Sequence, residues 1–195
     1  MRTNIYRNKL INVVLFFSKE TKHLNITKLM KLLNFFDFEH FRQTGYPSIG
    51  LEYFAFEQGP VPRKFWLEVK DGNPPEDLSE KISIDVRPHD FGRKETLFQS
   101  KRGKKVDFDI FSPRERKILE NLAFIYKDVT AKEISQISHD AEEPWEITIK
   151  EKGLNASIDY LLAIGKDSAL DLEEARENLH DHFQIIKILD IDPVQ

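Results

Sequence analysis

Residues 28–47 read KLMKLLNFFDFEHFRQTGYP, and this stretch decides the fold that we expect. Its apolar positions recur at the three- and four-residue spacing of an amphipathic helix: Leu29, Leu32, Leu33 and Phe36. Asn25 can cap the N-terminus of this helix, and Gly45 stands where a left-handed C-terminal cap is favoured. The sequence therefore predicts a helix from Asn25 through about Gln43, with an apolar stripe that faces the core.

Asp37 lies on that stripe, because counting back by fours leads to Leu33 and Leu29. A buried carboxylate is costly unless hydrogen bonds or a cation satisfy it. Two roles are open: a general acid or base with a shifted pKa, or an acceptor for the backbone amides of a neighbouring loop. We favour the structural role. His40 either joins the same network or is exposed.

Residues 57–66, EQGPVPRKFW, predict a rigid turn from a strand into a helix. The preceding LEYFAFE has the character of a short strand, and Pro60 lacks the amide hydrogen that pairing needs, so we expect the strand to end at Gly59. Pro62 suits the first turn of a helix from Arg63 to about Lys70. The turn would be braced by Asp37.

The remaining elements follow from local signals. Asn4 can cap a helix over residues 4–20, and residues 81–88, 95–100 and 104–110 predict a small antiparallel meander with KRGKK at a turn. Capping boxes begin helices at Ser112, running to about Lys127, and at Thr130, running to about His139. After a break at AEEPW, we expect helices from about Ser157 and over residues 172–189.

Together these helices and strands predict an α+β fold with a predominantly helical core and a small antiparallel β-sheet. Fifteen of the 195 residues are Phe, and eleven of these lie at or before Phe98, so the N-terminal half should hold the main core. Acidic residues exceed basic ones by four (33 against 29), which disfavours nonspecific nucleic-acid binding.

The chain contains no cysteine, which excludes disulfides and thiolate metal sites and favours the cytoplasm. The longest apolar run, VVLFF, is too short to span a bilayer, and no secretory segment precedes it, so we expect no membrane association.

Enzyme signatures are missing from the sequence. It has no phosphate-binding glycine loop, no nucleophile elbow and no zinc-protease helix motif, so we expect neither catalysis nor a cofactor. His180 and His182 would lie about 200° apart on a helix and cannot bind one metal from one face. His139 has three acidic neighbours, Asp140, Glu142 and Glu143, which fit either a hard-metal cluster or, as we favour, a solvated loop.

One strongly basic segment keeps a nucleic-acid alternative open. It comprises Arg93, Lys94, Lys101, Arg102, Lys104 and Lys105. A positive hairpin of this kind could contact phosphates or an acidic protein, or simply protect a strand edge. The helix pair at 113–127 and 131–139 also suggests a DNA-binding regulator, but its second helix carries a single cation, which is poor for recognition.

Three large aromatic residues, Phe65, Trp66 and Trp145, are candidates for either the core or an interface. Trp145 follows a proline in an acid-rich segment, so we expect it to be more exposed than the other two.

Three segments in order, 28–47, 50–62 and 138–145, resemble the Panacea domain, which includes the SocA-like antitoxins and related phage-associated proteins. The residues that carry the resemblance are Asp37, His40, Gly59, Pro60, Pro62, Ser138, His139, Pro144 and Trp145. Asn34 and Phe36 depart from the usual pattern, and residues 71–110 and those after about 155 are not diagnostic.

The resemblance implies a protein that binds and neutralises a partner toxin by direct contact, and that can also deliver it to a protease. Residues 1–155 would then be the shared domain and residues 156–195 a helical extension. Specificity would reside in variable surfaces, with Phe65, Trp66, Arg102, Lys104, Lys105, Phe183 and Ile186 as candidate contacts. The segment FQIIKIL, residues 183–189, is apolar enough to occupy a groove or to pack on its own domain. A hydrolase built on Asp37 and a histidine remains the enzymatic rival.

Overall fold

Helix α2, Ile26–Thr44, lies at the centre of the fold. The structure, a computed structural model, describes residues 4–89, 92–137, 144–165, 168–189 and 191. Most of α2 is buried, including positions on every side of the helix. The Asn25 side chain accepts a hydrogen bond from the Lys28 amide, and Gly45 ends the helix with φ 74°. Both predicted caps are confirmed.

Helix α1, Ile5–Glu20, packs against α2 and supplies a second layer of the core. The Asn4 side chain caps it by accepting from the Arg7 amide. Its fully buried apolar residues are Leu10, Val13, Val14, Leu15 and Phe17. Burying side chains of this size contributes roughly 1.5–3 kcal/mol each.

Strands β1 (Tyr53–Phe56) and β2 (Gly59–Pro62) form an antiparallel hairpin. Phe56 lies opposite Gly59, and Tyr53 lies opposite Pro62. The prediction that pairing stops at Gly59 and Pro60 is therefore wrong.

Alternation of backbone direction explains how two prolines fit in β2. In an antiparallel ladder, successive residues point their amide groups alternately toward the partner strand and away from it. Tyr53 and Ala55 use their backbone groups on the outer side, with residues 155–158. Pro62 and Pro60, which lie opposite them, therefore need no amide hydrogen for this ladder.

Helix α3, Arg63–Val69, begins directly after β2 and agrees with the predicted bounds. Helix α4, Glu76–Ser79, is a single short turn. Between them Gly72 has φ 80°, and a Cβ there would come within 2.7 Å of the Val86 side chain, so a residue without Cβ fits best.

Strands β3 (Ile82–Pro88) and β4 (Lys94–Ser100) form the second antiparallel pair, with Ile82 opposite Ser100. The third predicted strand of the meander, residues 104–110, does not form. Its backbone turns inward, because the Asp107 amide donates to Asn12 Oδ1 at 2.9 Å, and it ends in a 3₁₀ turn at Phe108–Ile110.

Helices α5 (Pro113–Tyr126) and α6 (Ala131–Ile137) begin where the capping boxes predicted. The Glu115 amide donates to Ser112 Oγ, while the Glu115 side chain accepts from the Ser112 amide. The Glu133 carboxylate likewise accepts from the Thr130 amide at 2.8 Å.

Helix α7, Pro144–Lys152, was not predicted, because Pro144 was interpreted as a breaker although it starts a helix. The helix expected from about Ser157 is also wrong. The chain there pairs with β1 and then forms only a 3₁₀ turn, Tyr160–Ala163. Backbone pairing with β1 uses the groups that a helix would have needed for itself.

Helix α8, Leu172–Leu189, has the predicted bounds. Its residues 175–182 pack on the domain through Ala175, Leu179 and His182, which are all buried. The fold is α+β and predominantly helical, as predicted, and the described residues place their strands in two separate two-stranded antiparallel sheets. In the part of the chain that the structure describes, no helix combines the length and the apolar character needed to cross a bilayer.

Candidate functional site

The Asp37 carboxylate is fully buried and accepts hydrogen bonds at both oxygens. Oδ1 accepts from the amides of Ile49 (2.6 Å) and Gly50 (3.3 Å). Oδ2 accepts from the Leu51 amide (3.3 Å) and from the Tyr53 hydroxyl (3.0 Å). The Tyr160 hydroxyl lies 3.2 Å from Oδ2 and shares its single hydrogen with the carbonyl oxygen of Leu51 at 2.7 Å. An ionised carboxylate offers about four lone-pair sites, and the three amides and the Tyr53 hydroxyl already occupy them.

The segment that Asp37 holds is residues 49–51 and not the Gly59–Pro62 hairpin, which corrects the expected brace. Asp37 accepts backbone hydrogen bonds, as predicted, but the donors belong to a different loop from the one expected. Gly45 ends α2 and turns the chain back, so the amides of residues 49–51 pass over Asp37. The prolines of β2 have no amide hydrogen to give to a carboxylate.

Burial raises the pKa of Asp37, and its hydrogen bonds offset part of that effect. Burial, together with the nearby Asp37 charge, raises the pKa values of Tyr53 and Tyr160 well above normal, so both phenols stay protonated donors. Among the described residues, no histidine is hydrogen-bonded to Asp37. This network orders backbone and does not resemble a catalytic pair.

His40 lies apart from the Asp37 hydrogen bonds. Its Nδ1 is 2.7 Å from the carbonyl oxygen of Tyr46, and because a carbonyl only accepts, Nδ1 carries the proton. Burial lowers the pKa of His40, which favours the neutral ring. The residue is half-buried and helps to fix the turn after α2.

Lys31, six residues before Asp37 on α2, is the second buried charge of interest. Only 1% of this residue is exposed, and its Nζ donates to the carbonyl oxygen of Gln58 at the tip of the β1–β2 hairpin. Burial lowers the pKa of Lys31 to about 7. Lys31, rather than Asp37, therefore reaches the tip of the hairpin.

A cavity of about 280 Å³ opens beside Lys31. Its lining combines the start of α2, the hairpin and α3: Ile26, Thr27, Met30, Lys31, Phe56, Glu57, Gln58, Val61 and Trp66. We call this cavity the Lys31 slot. It holds one buried cation in a mostly apolar wall.

The two tryptophans differ from expectation. Trp145 is only 9% exposed, and its Nε1 donates to the carbonyl oxygen of Phe56 at 2.9 Å, which holds the hairpin from the side of α7. Trp66 is half-buried, with Lys70 Nζ 5.0 Å from its ring centroid. Phe65 is fully buried in the core, so we leave it out of any partner surface.

Two members of the late sequence motif, Ser138 and His139, lie outside the described residues, as do Asp140, Glu142 and Glu143. Pro144 begins α7, and its carbonyl oxygen accepts from Thr148 Oγ1 at 2.7 Å.

The basic segment is divided by strand β4. Arg93 and Lys94 lie at one end of the strand, whereas Arg102, Lys104 and Lys105 follow its other end. Seven strand residues span roughly 23 Å. The cations therefore do not form one continuous patch, which weakens the nucleic-acid alternative.

Two polar contacts fix the first half of α8 to the end of α2. Asn178 Nδ2 donates to the carbonyl oxygen of Thr44 at 3.1 Å, and the Tyr46 hydroxyl donates to Asn178 Oδ1 at 3.1 Å. His182 lies edge-on to the Tyr6 ring at 5.5 Å, and burial lowers its pKa to about 4. The ring is therefore neutral near pH 7.

The second half of α8 exposes apolar side chains. Ile188 is 77% exposed, and Phe183, Ile185 and Leu189 are each about half exposed. Ile186 is half-buried. We call three of these residues, Ile185, Ile188 and Leu189, the α8 apolar face. Phe183 stands two positions before Ile185 and therefore lies on a different side of the helix.

Sequence reasoning missed Lys31 and Tyr160. A signal for Lys31 was present, because the polar residues of the central helix recur every three positions: Lys28, Lys31, Asn34 and Asp37. All four are buried. Tyr160 had no comparable signal, since its partner Asp37 is 123 residues away.

Comparison with known families identifies the shared unit. Residues 29–146, more than half of the chain, match the family described as antitoxin SocA-like, Panacea domain. The chain belongs to this family, which confirms the resemblance drawn from its motifs. The match includes Asp37, the β1–β2 hairpin and Trp145. Comparisons with curated proteins and with solved structures find no significant match.

Proposed function

We propose that this protein is an antitoxin that binds a partner toxin and neutralises it by direct protein–protein contact. Its membership of the SocA-like antitoxin family supports the general role. The fully bonded Asp37 supports a role without chemistry of its own, because no acceptor there remains for a substrate.

The α8 apolar face is the observation that carries the contact site. The helix is already anchored through its first half, so its second half presents exposed apolar side chains on a supported element. An amphipathic helix that lays its apolar side in a groove is a common mode of protein recognition. Phe183 and Ile186, which lie nearer to the domain on the same helix, would be further contacts beside this face.

We propose a division of labour along the chain. Residues 1–155 would form the shared scaffold, and residues 156–195 would be the extension that adapts the protein to its toxin. Trp66 and the basic turn with Arg102, Lys104 and Lys105 are the further candidate contacts on the scaffold, because they are at least partly exposed.

Neutralisation would work by covering the active or target surface of the toxin. Delivery of the toxin to a protease would be a second effect of the same complex. The two effects separate experimentally: occlusion protects cells while the toxin persists, whereas delivery shortens the half-life of the toxin.

The test is coexpression with the product of the reading frame beside its own gene. We expect that product to arrest growth alone and to be tolerated with the intact chain. Ile188→Glu should abolish this rescue without unfolding the protein, because its side chain is largely exposed.

Phe124→Glu is the matched control, since Phe124 is 86% exposed on α5, away from the α8 apolar face along the sequence. Rescue should survive that change. Loss of rescue with Phe124→Glu and full rescue with Ile188→Glu would remove α8 from the mechanism. Growth arrest that the intact chain does not relieve would contradict the antitoxin proposal itself.

A further inference from the structure

The Lys31 slot has the composition of a small ligand site. Aromatic and aliphatic side chains from three elements, among them Met30, Phe56 and Trp66, form most of its wall. Its volume of about 280 Å³ lies just below the range of roughly 300–1,000 Å³ usual for drug-sized ligands. The slot therefore suits one ring or branched chain with a short polar end.

The buried amine of Lys31 is under-satisfied. A protonated lysine has three donors, and among the described residues Lys31 Nζ has one acceptor, the carbonyl oxygen of Gln58. Within the described residues, no carboxylate forms an ion pair with Lys31. Burial of a cation without a counter-charge is costly, and the lowered pKa of Lys31, about 7, reflects that cost.

We propose that the Lys31 slot binds a small apolar carboxylate. The carboxylate would accept the remaining hydrogens of Lys31 Nζ and supply the missing counter-charge, while its apolar body would lie against Trp66. This site is independent of the antitoxin proposal, and neither depends on the outcome of the other.

An adjoining cavity shares Glu57 and Gln58 with the slot, and it is lined by both basic and acidic side chains: Arg93, Lys94, Glu95 and Lys132. Glu57 lies on the rim of the slot at the exposed hairpin tip, and Lys70 stands over the ring of Trp66. The rim carboxylate would disfavour a second negative charge on the ligand, so we infer a monoanion. A monoanionic apolar carboxylate occurs both as a free small molecule and as the last residue of a polypeptide.

The experiment is titration calorimetry with 3-phenylpropanoate and with its neutral amide. We expect saturable binding of the acid with one site per chain, and binding of the amide at least tenfold weaker. Two pentapeptides that end in Phe, one with a free carboxylate and one amidated, distinguish the sources. If the free-carboxylate peptide binds more tightly than 3-phenylpropanoate, the natural ligand is a chain terminus, and the reverse order indicates a free acid.

Lys31→Met should abolish binding of the acid, whereas Lys117→Met, which removes an exposed lysine from α5, should leave it unchanged. Val61→Phe fills the slot and retains the Lys31 amine, so it should also abolish binding. This variant tests the slot even if Lys31→Met folds poorly.

Binding should weaken at least tenfold between pH 6 and pH 9. The protonated amine is the form that binds, and a Lys31 pKa of about 7 leaves little of it at pH 9. Equal binding of acid and amide, unchanged binding in Lys31→Met, or no binding of the acid would overturn the proposal.

Discussion

Two buried charges of α2, those of Asp37 and Lys31, differ in how completely they are satisfied. Asp37 has donors at both oxygens, whereas Lys31 has one acceptor among the described residues and lines a cavity. Burial disfavours the charged form of both side chains, so it raises the pKa of Asp37 and lowers the pKa of Lys31. Asp37 therefore orders the backbone of its own chain, whereas Lys31 has hydrogen-bond donors left for a ligand.

The two side chains also stabilise different parts of the segment that matches the family. Asp37 fixes residues 49–51, and these lead directly into β1. Lys31 and Trp145 hold the far end of the hairpin, at Gln58 and Phe56. Lys31 and Trp145 thus hold the tip of the proline-containing hairpin, and Asp37 holds the segment that leads into it.

The largest expected effect is that of Asp37→Asn. One oxygen would become an NH₂ group facing backbone donors, whichever way the amide is turned, so at least one buried amide would lose its acceptor. We expect a loss of about 2–4 kcal/mol in the free energy of unfolding, measured by chemical denaturation. Glu120→Gln, at an exposed position of α5, is the control and should change stability little. An Asp37→Asn variant as stable as the wild type would break the comparison.

The next effect concerns pH and sharpens the comparison at Lys31. The unfolded side chain keeps its proton up to about pH 10.4, whereas the folded one loses it near pH 7. Between these values the unfolded state binds more protons, so the free energy of unfolding should rise with pH, by at most about 1.4 kcal/mol per unit. Denaturation at pH 7 and pH 9 should show this rise in the wild type and a smaller one in Lys31→Met. Equal slopes in the two proteins would place the Lys31 pKa near its normal value.

Tyr160→Phe should have the smallest effect, about 1 kcal/mol. Its hydroxyl contacts both Asp37 and the carbonyl oxygen of Leu51, the latter at 2.7 Å, so removal leaves Leu51 without this donor. Ser83→Ala, which removes an exposed hydroxyl from β3, is the control. Thermal denaturation at neutral pH measures both, and a Tyr160→Phe variant no less stable than the control would show that the Tyr160 hydroxyl is not needed to hold this network.

Much of the helical fold could be predicted, because caps are local. A capping residue and its partner lie within three positions of each other, and helices begin in the structure at the three predicted caps: Asn25, Ser112 and Thr130. The hairpin could not be predicted in the same way. Whether Pro60 interrupts a ladder depends on which side of β1 is already paired, and that is decided by residues 155–158 far along the chain.

The candidate site was predictable to a similar degree. The position of Asp37 on an apolar stripe indicated burial and an acceptor role, but not which loop supplies the donors. Lys31 was overlooked because lysines are usually solvated, and only the three-residue repeat from Lys28 to Asp37 distinguishes it. A helix buried on every side removes the polar face on which such reasoning relies.

Tyr160 lies fourteen residues beyond the end of the family match, yet its hydroxyl lies within hydrogen-bond distance of the fully buried Asp37 carboxylate. Arg42 Nε also reaches the carbonyl oxygen of Ala163, at 3.3 Å. An exchange of tails between relatives should therefore place its splice point after Ala163. A junction at residue 146 would separate Asp37 and Arg42 from the tail residues that they contact.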